Sequence, residues 1–140
     1  MKTTIYYYVF FAIISITPSC EHGLSGNKHP IYIDNKSSHS IDFYLALGGK
    51  YGTIYPDTIL PVSNDYLITD LGSGKRHYYD SSLPWEDYYK KNDKMSIFIF
   101  HSDTIEKYSW EEIRTGYKVL KRFDLSLKEL QSTNYTVTYQ

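Results

Sequence analysis

Hydrophobic residues alternate with more polar ones along two stretches of the first half of the chain. Ile31 and Ile33 alternate with their neighbours, and residues 41–47 repeat the pattern. A period of two residues is typical of β-strands that bury one face. Because residues 35–40 between them are polar turn formers, the sequence predicts a hairpin of these two strands.

A second hairpin is predicted farther along the chain. Residues 66–69 and 76–79 have strand character, and Gly72 and Gly74 lie between them. Glycine accepts the positive φ that a tight turn requires. We therefore expect these two segments to pair with each other.

Two more strands differ in their expected places in a sheet. Residues 95–100 are apolar on both faces, which is typical of a central strand. Residues 135–139 alternate and are rich in Tyr and Thr, which favours an outer strand with one half-wet face.

Helix-start patterns occur between the later strands. Residues 109–112 and 126–129 both read Ser-x-x-Glu, the capping-box pattern, and Gly116 supplies a stop for the first helix. A third helical turn is predicted near residues 84–87. The sequence thus predicts a mainly β fold, an antiparallel sheet or sandwich with two or three short α-helices in the C-terminal half; an α+β fold is the alternative.

The N-terminal segment has the pattern of an export signal. Residues 5–16 form an apolar run that is shorter than the roughly 20 residues of a membrane-spanning helix. Thr17-Pro18-Ser19-Cys20 resembles the lipobox of bacterial lipoproteins, with Cys20 as the single cysteine. This resemblance implies that residues 1–19 are removed and that Cys20 is acylated. An ordinary secretory signal is the alternative.

This division gives a signal peptide (1–19), a lipidated Cys20 with a flexible tether (20–29) and one globular β-rich domain (30–140). The tether is polar and contains glycine, so its mean reach is roughly 15–18 Å. The expected location is the cell envelope, at the outer membrane, with the periplasmic or surface face left open.

Charge and cysteine content narrow the possible functions. The chain has 15 basic and 16 acidic residues, so it lacks the basic surface of a nucleic-acid-binding protein. A single cysteine excludes an intrachain disulfide and a cysteine-based zinc site. We expect no cofactor, no metal and no nucleic-acid partner.

Aromatic residues are the first candidates for ligand contact, because the chain has 16 tyrosines and aromatic faces stack on sugar rings. Tyr78, Trp85 and Tyr88 are the candidate contacts. The alternative is that these rings fill strand faces and the rim of the sheet.

Candidate catalytic residues are present only as residue types. His77 with Asp80, and His101-Ser102-Asp103, contain the groups of hydrolytic sites. However, neighbours on an extended chain point to opposite faces, and no recognised catalytic motif is present. The expected catalytic set is therefore none.

Thr58 and Thr104 are candidate O-glycosylation sites. Asp57-Thr58-Ile59 and Asp103-Thr104-Ile105 are similar to the Asp-Ser/Thr-aliphatic acceptor of Bacteroidetes O-glycosylation. The alternative is that each Asp-Thr pair forms a turn at the end of a strand.

Several segments together resemble a family of small, functionally uncharacterised Bacteroidetes outer-membrane lipoproteins, and the resemblance covers most of the chain. The segments comprise the N-terminal signal and residues 55–58, 97–100, 103–104, 110–113, 119–127, 130 and 136–139. The resemblance implies a membrane attachment and contributes no catalytic residue. We expect a lipid-anchored, non-enzymatic structural or interaction module of the envelope, with envelope proteins or glycans as partners. The alternatives are a glycan-binding accessory lipoprotein and a cryptic hydrolase.

Overall fold

The structure is a computed structural model that describes residues 28–49 and 53–140. The predicted signal and Cys20 lie outside these residues.

The strands are β1 (His29–Asn35), β2 (Ile41–Ala46), β3 (Ile68–Leu71), β4 (Arg76–Ser81), β5 (Met95–His101), β6 (Lys121–Leu125) and β7 (Thr136–Tyr139). The helices are α1 (Trp85–Tyr89), α2 (Ser102–Lys107), α3 (Trp110–Thr115) and α4 (Leu127–Ser132). The mainly β prediction is confirmed, although the described residues form four helices rather than two or three.

The strands form two sheets. Sheet A has the order β4-β1-β7, and sheet B has the order β3-β2-β5-β6. Strand β5 is an inner strand and β7 an edge strand, as the sequence predicts. The pairings are antiparallel, as expected, except that β7 runs parallel to β1, which makes sheet A a mixed sheet.

Both predicted hairpins are wrong, because β1 and β4 lie in sheet A whereas β2 and β3 lie in sheet B. The buried Asn35 contacts the segments that carry the chain from one sheet to the other. Its side-chain amide donates to the carbonyls of His39 (2.7 Å) and Leu71 (2.8 Å). Its backbone carbonyl accepts from Gly74 (2.8 Å), whose φ is +70°. One asparagine therefore contacts the connections from β1 to β2 and from β3 to β4, two of the four places where the described chain changes sheets.

Two apolar clusters lie on the two faces of sheet B. The first lies between the sheets and includes Ile33, Phe43 and Ile97. The second lies on the other face of sheet B. There Phe98 packs with Ile113 of α3 and with Leu60, which lies in the connection between β2 and β3. Because sheet B is covered on both faces, β2 and β5 are buried along nearly their whole length.

The two predicted capping boxes are present. In α3, the backbone N–H of Ser109 donates to the Glu112 carboxylate (2.8 Å), and the N–H of Glu112 donates to the Ser109 hydroxyl (3.3 Å). The Ser109 hydroxyl, which donates to the Glu112 carboxylate (2.7 Å), and the Ser109 backbone N–H hold the pKa of Glu112 below its ordinary value. Ser126 and Glu129 repeat the arrangement in α4. Both helices have six residues, so tertiary packing must supply most of their stability.

None of the helices in the described ranges is both long and apolar enough to cross a lipid bilayer.

Candidate functional site

A cavity of about 740 Å³ lies between the end of β4 and α1, and we call it the α1 cleft. Its walls include Tyr79, Leu83 and Tyr88, and charged side chains stand at its rim. This volume is in the range of about 300–1,000 Å³ that is usual for small-ligand sites.

Local hydrogen bonds turn the chain from β4 into α1. The hydroxyl of Ser81, the last residue of β4, donates to the carbonyl of Leu83 (2.7 Å) and accepts from its N–H (3.2 Å). Pro84 then occupies the N-cap position of α1, where its fixed φ costs nothing. This short turn leaves the side chain of Leu83 63% exposed at the cleft.

Helix α1 is held against the sandwich by aromatic side chains. Trp85 is 3% exposed, and its indole N–H donates to the carbonyl of His29 (2.9 Å). The hydroxyl of Tyr89 donates to the carbonyl of Leu125 (2.8 Å), and burial raises the pKa of this phenol. Because α1 has only five residues, these contacts fix the position of the cleft wall.

Tyr88 and the rim charges define the chemistry of the cleft. Tyr88 is half-buried, its hydroxyl lies 3.4 Å from the carbonyl of Ala46, and burial raises its pKa. At the rim, Asp87 forms an ion pair with Lys90 (2.6 Å). Asp80 lines the cleft and forms an ion pair with Lys28 (3.3 Å). The α1 cleft thus combines an apolar wall with hydrogen-bonding groups at its edge.

The three candidate ligand-contact aromatics do not form one surface. Trp85 and Tyr88 both line the α1 cleft, but Trp85 offers almost no surface to a ligand. Tyr78 is 54% exposed and lies on the outer face of sheet A beside Tyr32, with ring centroids 6.5 Å apart. Sequence reasoning missed Leu83, although a leucine placed between serine and proline is a signal of an exposed turn.

The candidate hydrolytic residues of β4 are not brought together. His77 is exposed, and its ring meets the ring of Phe43 edge to face, with centroids 5.6 Å apart. Asp80 is three residues farther along the same strand, and odd spacing places it on the opposite face. Its partner is Lys28.

The expectation that residues 101–103 form one extended segment is wrong after His101, because α2 begins at Ser102. His101 is the N-cap residue of α2, and its Nδ1 accepts from the N–H of Asp103 (3.3 Å). The Ser102 hydroxyl donates to Asp42 of β2 (2.5 Å), away from His101. Each of these polar groups has a structural partner at the start of the helix.

The candidate glycosylation residues lie in different environments. Thr58 is exposed, and the preceding Asp57 accepts from the N–H of Ile59 (2.9 Å), which is the turn that the alternative reading expected. Thr104 is partly buried within α2. O-glycosylation of both residues stays a prediction.

Across residues 28–49 and 53–140, no three His, Cys, Asp or Glu side chains are placed to hold a metal ion. No known family model, curated protein or solved structure matches the chain. The resemblance to Bacteroidetes lipoproteins therefore stays a prediction from the residues quoted above.

Proposed function

We propose that this protein is a non-enzymatic interaction module of the cell envelope, anchored through a lipid on Cys20, and that the α1 cleft is its binding site. The observation that supports the proposal is the position of the α1 cleft close to the predicted tether. Asp80 at its rim contacts Lys28, close to the end of the predicted tether. A partner bound there lies near the membrane, because the tether reaches only roughly 15–18 Å.

Cys20→Ala is expected to release the protein from the membrane fraction of its native host. The substitution removes the sulfur that the acyl chain requires, and each buried methylene of such a chain contributes about 0.8 kcal/mol of membrane affinity. Fractionation and intact-mass measurement of the purified protein check this. The wild-type protein, carried through the same fractionation, is the control. Membrane retention of the variant without an acyl mass contradicts the lipid anchor.

Leu83→Asp is expected to weaken binding of an envelope partner at least tenfold, because it places a charge in the apolar wall of the cleft. Its side chain is 63% exposed, so the fold should tolerate the change. Val62→Asp is the matched control, since Val62 is 82% exposed and does not line the cleft. Capture from detergent-solubilised envelopes, followed by binding of the purified partner, measures the effect.

A partner that binds wild type and both variants equally contradicts the assignment of the cleft. A partner lost only with Leu83→Asp supports it. Unfolding curves of the three proteins must coincide for either result to count.

Glycan binding is the second candidate function, and a specific feature of the cleft favours it. The half-buried rings of Tyr79 and Tyr88 line the wall, with Asp80 and Asp87 nearby as hydrogen-bonding groups. Apolar ring faces beside carboxylates suit the two sides of a sugar. A glycan array probed with wild type, Leu83→Asp and Val62→Asp tests this. Loss of glycan binding in Leu83→Asp alone supports a glycan ligand. Absence of glycan binding by all three proteins contradicts it.

A further inference from the structure

A second cavity, of about 380 Å³, lies on the other side of Trp85 from the α1 cleft. We call it the Glu86 cavity. Trp85 lines both cavities, and the rings of Tyr32 and Tyr135 also line this one. Three aromatic residues and one carboxylate therefore meet around a space of ligand size.

The carboxylate of Glu86 has neutral hydrogen-bond donors. One of its oxygens accepts from the hydroxyl of Tyr135 (3.0 Å) and from the side-chain amide of Gln131 (3.3 Å). Among the described residues, no lysine or arginine forms an ion pair with it. Its own backbone amide and the Tyr135 hydroxyl, and more weakly the His29 imidazole that also lines the cavity, hold the pKa of Glu86 below its ordinary value, so the group is ionised at neutral pH. The carboxylate of Glu86 is thus a negative charge that, among the described residues, has no lysine or arginine in an ion pair with it.

The lysine near the cavity is already paired. Lys28 lines the space, but its ammonium group lies 3.3 Å from the carboxylate of Asp80. The Tyr32 ring, in turn, already interacts with a cation, because the Arg76 guanidinium lies 5.1 Å from its centroid. Arg76 is itself paired with Asp34 (2.8 Å). Because Lys28 and Arg76 have other carboxylate partners, neither of them neutralises Glu86.

We propose that the Glu86 cavity binds an organic ammonium ion, with Glu86 as the counter-charge and the rings of Tyr32 and Tyr135 as its walls. An ammonium ion over an aromatic face is attracted to the negative potential of the ring, and the attraction is stronger when the ion is desolvated. A magnesium or calcium ion fits less well, since such ions require several oxygen ligands and the cavity supplies one carboxylate. This site does not depend on the proposed function of the α1 cleft.

Choline titrated into the purified protein is expected to shift the indole N–H resonance of Trp85 saturably. Trp110 is an internal control, because its indole N–H also donates to a carbonyl at 2.9 Å, that of Pro61, but it lies on the other face of sheet B. The neutral isostere 3,3-dimethyl-1-butanol should bind at least tenfold more weakly. This comparison uses the wild-type protein and does not depend on any variant folding.

Glu86→Gln is expected to weaken choline binding at least tenfold, because the amide keeps the shape of the side chain and removes its charge. Glu106→Gln, a change at an exposed glutamate of α2, should leave the affinity unchanged. Equal shifts with choline and the neutral alcohol would show an apolar cavity and overturn the proposal. It also fails if choline produces no saturable shift at Trp85, or if Glu86→Gln binds as wild type does.

Discussion

Trp85→Ala is expected to lower the free energy of unfolding by about 3–5 kcal/mol. The side chain is 3% exposed and packs with the inter-sheet core, so its removal leaves a large cavity. The carbonyl of His29 also loses the indole donor that it accepts at 2.9 Å. Urea unfolding followed by circular dichroism measures the change.

The second tryptophan is a matched control for this substitution. Trp110 donates to the carbonyl of Pro61 at the same distance of 2.9 Å, but it is only partly buried. Trp110→Ala should therefore cost roughly half as much, since the cost depends on the volume that is left empty. Equal losses for the two variants would contradict the placement of Trp85 in the core. A large loss for Trp85→Ala also means that this variant cannot be used to test ligand binding.

Asp42→Ala is expected to lower the free energy of unfolding by about 2–4 kcal/mol, because it leaves the buried Ser102 hydroxyl and the part-buried backbone N–H of Asp70 without their acceptor. Asp42 is 2% exposed. Its carboxylate accepts from the hydroxyl of Ser102 (2.5 Å) and from the backbone N–H of Asp70 (3.0 Å). One side chain thus joins β2, β3 and the start of α2.

A double-mutant cycle separates this contact from general damage to the strand. Ser102→Ala alone should cost about 1.5–3 kcal/mol, the range for a hydrogen bond to a charged group. If the bond is as described, the loss in the double variant is smaller than the sum of the two single losses by about 1 kcal/mol or more. Asp42→Asn keeps an acceptor oxygen and should cost less than Asp42→Ala. Strict additivity would contradict the contact.

The strand core was predictable because burial on both faces leaves a clear pattern. Residues 95–100 are continuously apolar, and only an inner strand with covered faces can bury such a run. The capping boxes at Ser109 and Ser126 were equally predictable, since each is made within four consecutive residues. Local chemistry of this kind does not depend on the rest of the fold.

Strand pairing was not predictable from the turns. Residues 36–40 and 72–75 have hairpin composition, yet both are corners between sheets. The deciding contacts come from Asn35, whose side chain reaches Leu71, a residue 36 positions away. Turn composition tells where the chain reverses, but it does not tell which strand the reversed chain will pair with.

The candidate sites, like the fold, were only partly predictable from the sequence. The sequence indicated Trp85 and Tyr88 as neighbours on one helix, and both line the α1 cleft. It gave no sign of the Glu86 cavity, because Tyr32, Glu86 and Tyr135 are far apart along the chain. Their meeting requires β1 to lie beside β7 and α1 to pack near α4.

By itself, the sequence determined most of the strand segments, three of the four described helices, the inner position of β5 and the two capping boxes, because periodicity and capping act over a few residues. It did not predict α2. Only the tertiary structure decided the two-sheet arrangement, the burial of Trp85 and the meeting of Glu86 with the rings of Tyr32 and Tyr135. The physical reason is that these features depend on contacts between residues distant in the chain, whose free energies no local pattern records.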